Sequence, residues 1–396
     1  MTATAKKPGW KIVKFGDVVR QCKESVDRDS NAFERYVEGG HMDSENIHIR
    51  RWGEFGADYV GPAFHRIFRK GQVLYGSRRT YLKKVAVAEF DGITANTTFV
   101  CETKDQQVFM QELLPFLMLT DSFTEHSIRE SKGSTNPYIN WPDIAKYEFR
   151  LPPLDEQKRI AQILWAADES AEAERLVNAN LEKLLQVKIN HFAHQEAEYG
   201  NEHFLADCIE PNRPITYGIL KPGLNFEGGI PVVKVRDYPN GVIVLDDLLH
   251  TTPKIEKEYK RSRLVPGDIL ISIRGTVGRV AEVPPELDGA NITQDTARLS
   301  IKSDLHHRYV KMILESNYVQ RQITAKITGL AVQGINIGEL RKIRIPIPDL
   351  KIQEQFASEC IAIRSAQASC ARSVASLKTL VEGVFEASVN GEGAHV

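Results

Sequence analysis

The sequence predicts an α+β protein written twice. Two similar globular domains are each followed by a long helix, and the helices pair as an antiparallel coiled coil about a pseudo-twofold. Three observations predict it. Charge alternates along the chain: Lys and Arg against Asp and Glu run 22 to 20 in residues 1–150, 5 to 9 in 151–198, 20 to 18 in 199–349 and 4 to 5 in 350–396. A shift of 196 positions aligns the two halves. Two segments of about 38 residues carry apolar side chains at alternating steps of three and four.

In the first globular part, residues 1–150, the motif Gly71-Gln72-Val73-Leu74-Tyr75-Gly76-Ser77-Arg78-Arg79-Thr80 anchors the repeat. It falls on Gly267-Asp268-Ile269-Leu270-Ile271-Ser272-Ile273-Arg274-Gly275-Thr276, with Gly, Leu, Arg and Thr identical. The same offset brings Gly133 onto Gly329, Asn140 onto Asn336, Lys146 onto Lys342, Pro152 onto Pro348, Leu154 onto Leu350, Gln157 onto Gln353 and Leu181 onto Leu377. A weaker match joins Phe15-Gly16-Asp17 to Phe204-Leu205-Ala206-Asp207. Runs such as Lys84-Val85-Ala86-Val87-Ala88, residues 230–235 and residues 268–273, bounded by Gly, Pro and Asp, read as strands. Residues 109–119 and 307–323 read as helical interruptions. Strands and helices that alternate without a regular βαβ rhythm favour α+β over a doubly wound sheet.

The central segment, residues 151–198, opens after Pro152-Pro153, with Asp155 as the expected N-cap. Its stripe is Ile160, Leu164, Ala167, Ala171, Glu174, Asn178, Leu181, Leu185, Lys188 and Phe192, seven of ten apolar. The second globular part is residues 199–349. After Pro348, residues 350–396 repeat the stripe as Phe356, Cys360, Ile363, Gln367, Cys370, Val374, Leu377, Val381, Val384 and Ser388. Each rod is roughly 57 Å long at 1.5 Å per residue, too long and narrowly striped for a lone surface helix. Packing of each helix on its own globular domain is the alternative; equal stripe lengths and the duplication favour pairing.

Composition narrows the function. With 396 residues, 42% hydrophobic, 26% charged and a net charge of −1, fibrous and disordered classes are excluded. No apolar run approaches the eighteen or so residues of a membrane span, and Met1-Thr2-Ala3-Thr4-Ala5-Lys6-Lys7 precedes no hydrophobic signal core, so a cytoplasmic protein without a membrane partner is expected. Five cysteines, Cys22, Cys101, Cys208, Cys360 and Cys370, show no C-x-x-C spacing, which points to reduced buried thiols rather than a disulfide framework or zinc knuckle.

Leu151-Pro152-Pro153-Leu154-Asp155-Glu156-Gln157-Lys158-Arg159-Ile160-Ala161 resembles the junction that opens the long helices in specificity (S) subunits of type I restriction-modification systems. So do residues 267–278 and the stretch from Gly334-Ile335-Asn336-Ile337 through Ile345-Pro346-Ile347-Pro348. The second junction, Pro348-Asp349-Leu350-Lys351-Ile352-Gln353, departs from the usual P-P-L-x-E-Q. The resemblance spans essentially the whole chain. It implies a subunit that binds double-stranded DNA through two target recognition domains, residues 1–150 and 199–349, each reading half of a split sequence. The helices at 151–198 and 350–396 would act as a ruler. Implied partners are two adenine methyltransferase (M) subunits and motor-nuclease (R) subunits, with S-adenosylmethionine, ATP and Mg2+ on those partners. No cofactor and no metal is expected on this chain.

Catalytic motifs of its own are not expected. Asn136-Pro137-Tyr138 is one proline short of a methyltransferase motif and reads as a turn; its counterpart is Val332-Gln333-Gly334. Gly71 and Gly76 have phosphate-loop spacing, but Ser77-Arg78 stands where Lys-Ser/Thr is needed. His191 and His194, at i and i+3, lack companions for a metal site. DNA contacts are expected from cations: Arg50, Arg51, Arg66, Arg69, Lys70, Arg78, Arg79, Lys83 and Lys84 in the first domain, and Lys234, Arg236, Lys254, Lys257, Lys260, Arg261, Arg263, Arg274 and Arg279 in the second. Arg78 and Arg274 recur beside a glycine turn, and phosphate contact and a structural salt bridge both account for that. Residues shared by the halves cannot distinguish two half-sites, so readout is expected where they differ, at residues 29–59 and 225–247. A coiled-coil scaffold and a self-sufficient DNA methyltransferase or nuclease component are the alternative functions.

Overall fold

Gly71 and Gly267 open the repeated motif because both turn the chain at positive φ, +88° and +86°, where a side chain is disfavoured. Each delivers a buried strand, Val73–Gly76 in one half and Ile269–Ser272 in the other. The computed structural model describes residues 9–27, 33–55, 60–329 and 333–390, the side chains of 385–390 excepted. The amino-terminal heptapeptide, residues 29–32 and 56–59, Val332 and the Ser388 side chain therefore lie outside the described residues.

In the first half, Val73–Gly76 lies between Thr98–Thr103 and Val85–Val87, and Val19–Cys22 completes an antiparallel four-stranded sheet. A second sheet runs Gly53–Glu54, Arg35–Val37, Gly92–Ala95, Phe64–Phe68, with one parallel pair, Arg35–Val37 against Gly92–Ala95. The second half repeats the plan. Ile269–Ser272 lies between Thr296–Leu299 and Val280–Glu282, with Thr216–Tyr217 at the edge. Its other sheet again has one parallel pair, Ile230–Val233 with Asn291–Ile292. The offset of 196 holds residue for residue in two pairs of helices: Asp121–Arg129 recurs as Asn317–Ala325, and Trp141–Ile144 as Ile337–Leu340. Thr120 and Ser316 cap equivalent helices, each hydroxyl accepting from the backbone N–H three residues on. The single helical patch expected over 307–323 is two helices, His307–Leu314 and Asn317–Ala325, because the Ser316 cap starts a new one.

The central helix is Leu154–Glu198 and the C-terminal helix is Leu350–Asn390. Asp155 is not the N-cap. The cap position is Pro153, two residues earlier, with Gln157 N–H already bonding Pro153 O, and the exposed Asp155 carboxylate sits in the first turn, where it favours the helix dipole. Gln157 explains why that residue recurs. Buried at the junction, its amide donates to Pro152 O and Val108 O and accepts from Met110 N–H; Gln353 donates to Pro348 O and accepts from His306 N–H. Each glutamine thus pins a helix start to its globular domain.

The chain divides into two compact units, Met1–Arg175 with Ala371–Val396, and Leu176–Cys370, so each unit holds one globular part and half of each long helix. In the first unit, Ile160, Ala161, Leu164 and Val384 join the core built on Phe15, Tyr75, Phe123 and Phe149. In the second, Leu185, Ile189 and Ala193 meet Phe356, Ala357 and Cys360 over Ile269, Ile271 and Tyr309. The helices run antiparallel. Glu182, Lys188 and Phe192 meet Gln367, Glu359 and Phe356 in turn, at 2.7 Å, 2.6 Å and, ring to ring, 4.0 Å. Pairing and domain packing are therefore joint uses of one stripe rather than alternatives. Ile160, Leu164, Leu185, Phe356 and Val384 are buried; Leu181, Phe192, Ile363, Val374, Leu377 and Val381 are half-buried. Cys101, Cys208, Cys360 and Cys370 are buried free thiols and Cys22 is half-buried.

Candidate nucleic-acid interface

Each central strand ends in an arginine held by the same backbone frame. Beyond Val73–Gly76, Ser77 N–H bonds Thr97 O at 3.0 Å, Ile139 N–H bonds Ser77 O at 2.9 Å and Arg79 N–H bonds Pro137 O at 2.6 Å. Beyond Ile269–Ser272, Ile273 N–H bonds Asp295 O, Ile335 N–H bonds Ile273 O and Gly275 N–H bonds Gln333 O, at 2.8, 2.9 and 3.1 Å. Arg78 bridges Tyr138 and Arg274 bridges Gly334. Both side chains stand exposed. That of Arg274 donates to Gln294 Oε1 at 3.2 Å, and neither arginine forms an ion pair among the described residues. Recurrence is thus not explained by a salt bridge. The next position turns left-handed in both halves, Gly275 at φ +71° and Arg79 at φ +50°. A non-glycine residue is strained there, and Arg79 holds its exposed guanidinium at that expense.

Eight of the fifteen other candidate cations have side-chain partners. Arg50 meets Glu172 of the central helix at 2.5 Å, and Arg51 pairs with Asp43. Lys83 pairs with Asp121 and Glu45, and Lys84 donates to Gly39 O. Arg263 clasps Glu256 through two bonds of 2.8 and 2.6 Å, and Arg279 donates to Val235 O at 3.2 Å. Arg236 lies 3.5 Å from Asp237, whose carboxylate also accepts from Lys234 N–H. Arg69 bonds Glu24 and Asp91. In the free chain these side chains shape loops and dock them. Arg78 and Arg79 project without such partners.

Part of the divergent segment is an anchor. His48 Nε2 meets Asp168 of the central helix at 2.8 Å and Nδ1 meets Glu89 at 3.3 Å; the bond to Asp168 raises the imidazole above its ordinary value despite burial. Glu45 pairs with Lys378 of the C-terminal helix, which holds its carboxyl below the usual range. His48, Arg50 and Glu45 therefore dock the first domain on the helices, and the spacing of charges in the sequence gave no sign of it. Trp52 remains half out, with the Arg35 guanidinium 4.7 Å above its ring. In the second domain the corresponding stretch exposes Phe226, Val242 and Val244, apolar groups of the kind that contact thymine methyls. Two residues had not been singled out for this role: Tyr81 and Tyr138 are exposed beside Arg79 and Arg78. An aromatic next to the repeated arginine was the available signal.

Asn136-Pro137-Tyr138 is part of the loop that closes over Arg78. His191 and His194 are exposed, His194 against the Tyr318 ring. Among the described residues, no group of three or more His, Cys, Asp or Glu is placed to hold a metal ion, and no helix is long and apolar enough to cross a membrane.

The type I restriction modification DNA specificity domain matches residues 8–183 and 218–359, spanning both arginine turns and both helix junctions. The chain belongs to this family. Among its relatives in the specificity family is the EcoBI specificity subunit of Escherichia coli, 26% identical over 233 residues, which are 52% of this chain and 49% of that one. The MjaIX specificity subunit of Methanocaldococcus jannaschii is 25% identical over 316 residues, 74% of this chain and 71% of the relative. The chain spans about half the length of the first of these and more of the second. A chain solved in a study of complex assembly and conformational transition of the type I R-M system shares the fold, with a TM-score of 0.60, 21% identity and coverage of 98% and 99%. The arrangement of globular parts and long helices is thus one that this chain shares with that solved chain.

Proposed function

We propose that this chain is the DNA sequence-recognition subunit of a type I restriction-modification complex. Each globular domain reads one half of a bipartite target, and the paired helices set the spacer and dock two methyltransferase subunits, with motor-nuclease subunits joining in restriction. The chain is not catalytic by itself; S-adenosylmethionine, ATP and Mg2+ belong to its partners. The observation that carries this reading is the recurrence, on one backbone frame, of the exposed arginines Arg78 and Arg274 in a family-matched chain. Two equivalent turns suit two DNA faces, phosphate contact fixing register while the divergent surfaces read bases. The curated relatives named as specificity subunits support the same role.

The test is genome-wide adenine methylation by single-molecule sequencing, in cells expressing this chain with its adjacent methyltransferase and in cells with the methyltransferase alone. A bipartite methylated motif that appears only with this chain is the expected result. Its absence, with the two proteins soluble and associated, would favour the scaffold reading.

A further inference from the structure

A second concentration of positive charge lies away from the arginine turn, in the second globular part. A pocket of about 360 Å³ is lined by the cations Arg213, Lys260, Arg261, Arg263 and Arg298, together with Asn212, Pro214 and Val265. No carboxylate lines it. Two stand behind its wall: Asp268 accepts from Arg213 at 3.1 and 2.8 Å, and Glu256 accepts from Arg263. Two of the five cations are thus paired with carboxylates, and among the described residues Lys260, Arg261 and Arg298 are not.

Arg298 is the unusual member. It is 1% exposed, yet it has no direct carboxylate partner among the described residues. Its guanidinium donates to Ser300 Oγ and to Pro214 O at 3.0 Å; Ser300 passes the contact on to Asp268 at 2.5 Å, and Arg298 Nε has no partner. Burial, with the Arg213 charge beside it, pushes this group down to about 10. A buried, incompletely bonded guanidinium is costly unless an anion offsets its charge.

The duplication sharpens the point. Strand pairing sets Arg298, opposite Leu270, in the place that Val100 takes opposite Leu74. The second half therefore buries a guanidinium where the first buries an apolar side chain.

We propose that the pocket of Arg213, Lys260, Arg261 and Arg298 binds a phosphoryl oxyanion, a ligand that planar guanidinium groups and a lysine together recognise. The source is a DNA backbone phosphodiester or a free phosphate, and the site stands whether or not the chain reads DNA sequence. Lys260 and Arg261 are exposed and form no ion pair among the described residues, so a Lys260→Ala, Arg261→Ala double variant of the full chain is expected to fold.

Thermal unfolding is followed while inorganic phosphate replaces chloride at constant ionic strength, and duplex binding is followed against salt. General stabilisation by an excluded anion does not saturate and is shared by the variant. A saturable rise in Tm that the double variant loses assigns the site to free phosphate. A slope of log affinity against log salt shallower by about 1 in the variant assigns it to the DNA backbone. No saturable phosphate effect in the wild type, together with the same salt slope in both proteins, overturns the proposal. A chain that binds no duplex but keeps the phosphate effect would remove the DNA-recognition reading and leave this site standing.

Discussion

Arg79 and Gly275 occupy one backbone conformation with opposite consequences: the glycine accepts it freely, and the arginine is strained by about 1 kcal/mol or more. Arg79→Gly is therefore expected to hold or raise Tm while weakening duplex binding and making its salt slope shallower by about 1. Loss of stability with unchanged DNA affinity would make Arg79 a structural residue. His48 is governed by a different balance. Its bond to Asp168 raises the imidazole above 6.5, so the charged pair stabilises the docked domain fully below that value and the contribution disappears as pH rises through the higher folded value. The stability gap between wild type and His48→Gln should be widest just below pH 6.5 and close as pH rises above it. A gap that widens with pH, in matched unfolding curves, would sink this account. Each effect follows from one side chain's surroundings, which the linear order of residues does not list.

Among the elements, the helix junctions carry the tightest polar bookkeeping. Gln157 satisfies two carbonyls and one N–H inside the core, so Gln157→Met, similar in volume but without the amide, leaves all three unpaired. A loss of roughly 1–3 kcal/mol is expected, readable as a lower denaturant midpoint at constant m-value. An unchanged midpoint would mean that water or a rearranged loop replaces the bonds. The heptad stripe made the helices legible from sequence, because 3.6 residues per turn converts spacing directly into one face. What faced that stripe was not legible. Ile160 and Leu164 belong to the first unit's domain core, while Phe192 stacks on Phe356, yet all four occupy equivalent heptad steps. The cap at Pro153 rather than Asp155 likewise depended on which carbonyl Gln157 N–H reached.

For the whole molecule, the proposed ruler gives a test independent of any base contact. Removing one heptad from each long helix, at matched positions on either side of the antiparallel seam, should shorten the spacer of the methylated motif and leave both half-sites unchanged. Sequencing of methylated sites in cells carrying the shortened chain reads both quantities at once. A constant spacer would remove the ruler, and altered half-sites would mean that the helices also position the reading surfaces.

The sequence by itself determined the duplication, the class of each domain and the long paired helices. These are properties of periodicity and recurrence: an offset of 196, a heptad step and a glycine needing positive φ are each written in the order of residues. Tertiary structure decided which cations are free. Arg50, Lys83 and Arg263 read the same as Arg78 in a string of letters, and they differ because Glu172, Asp121 and Glu256 are brought to meet them while no carboxylate meets Arg78 among the described residues. Charge is local in sequence, but its neutralisation depends on distance in space. The buried Arg298 and its apolar counterpart Val100 became comparable only once strand pairing set them opposite Leu270 and Leu74.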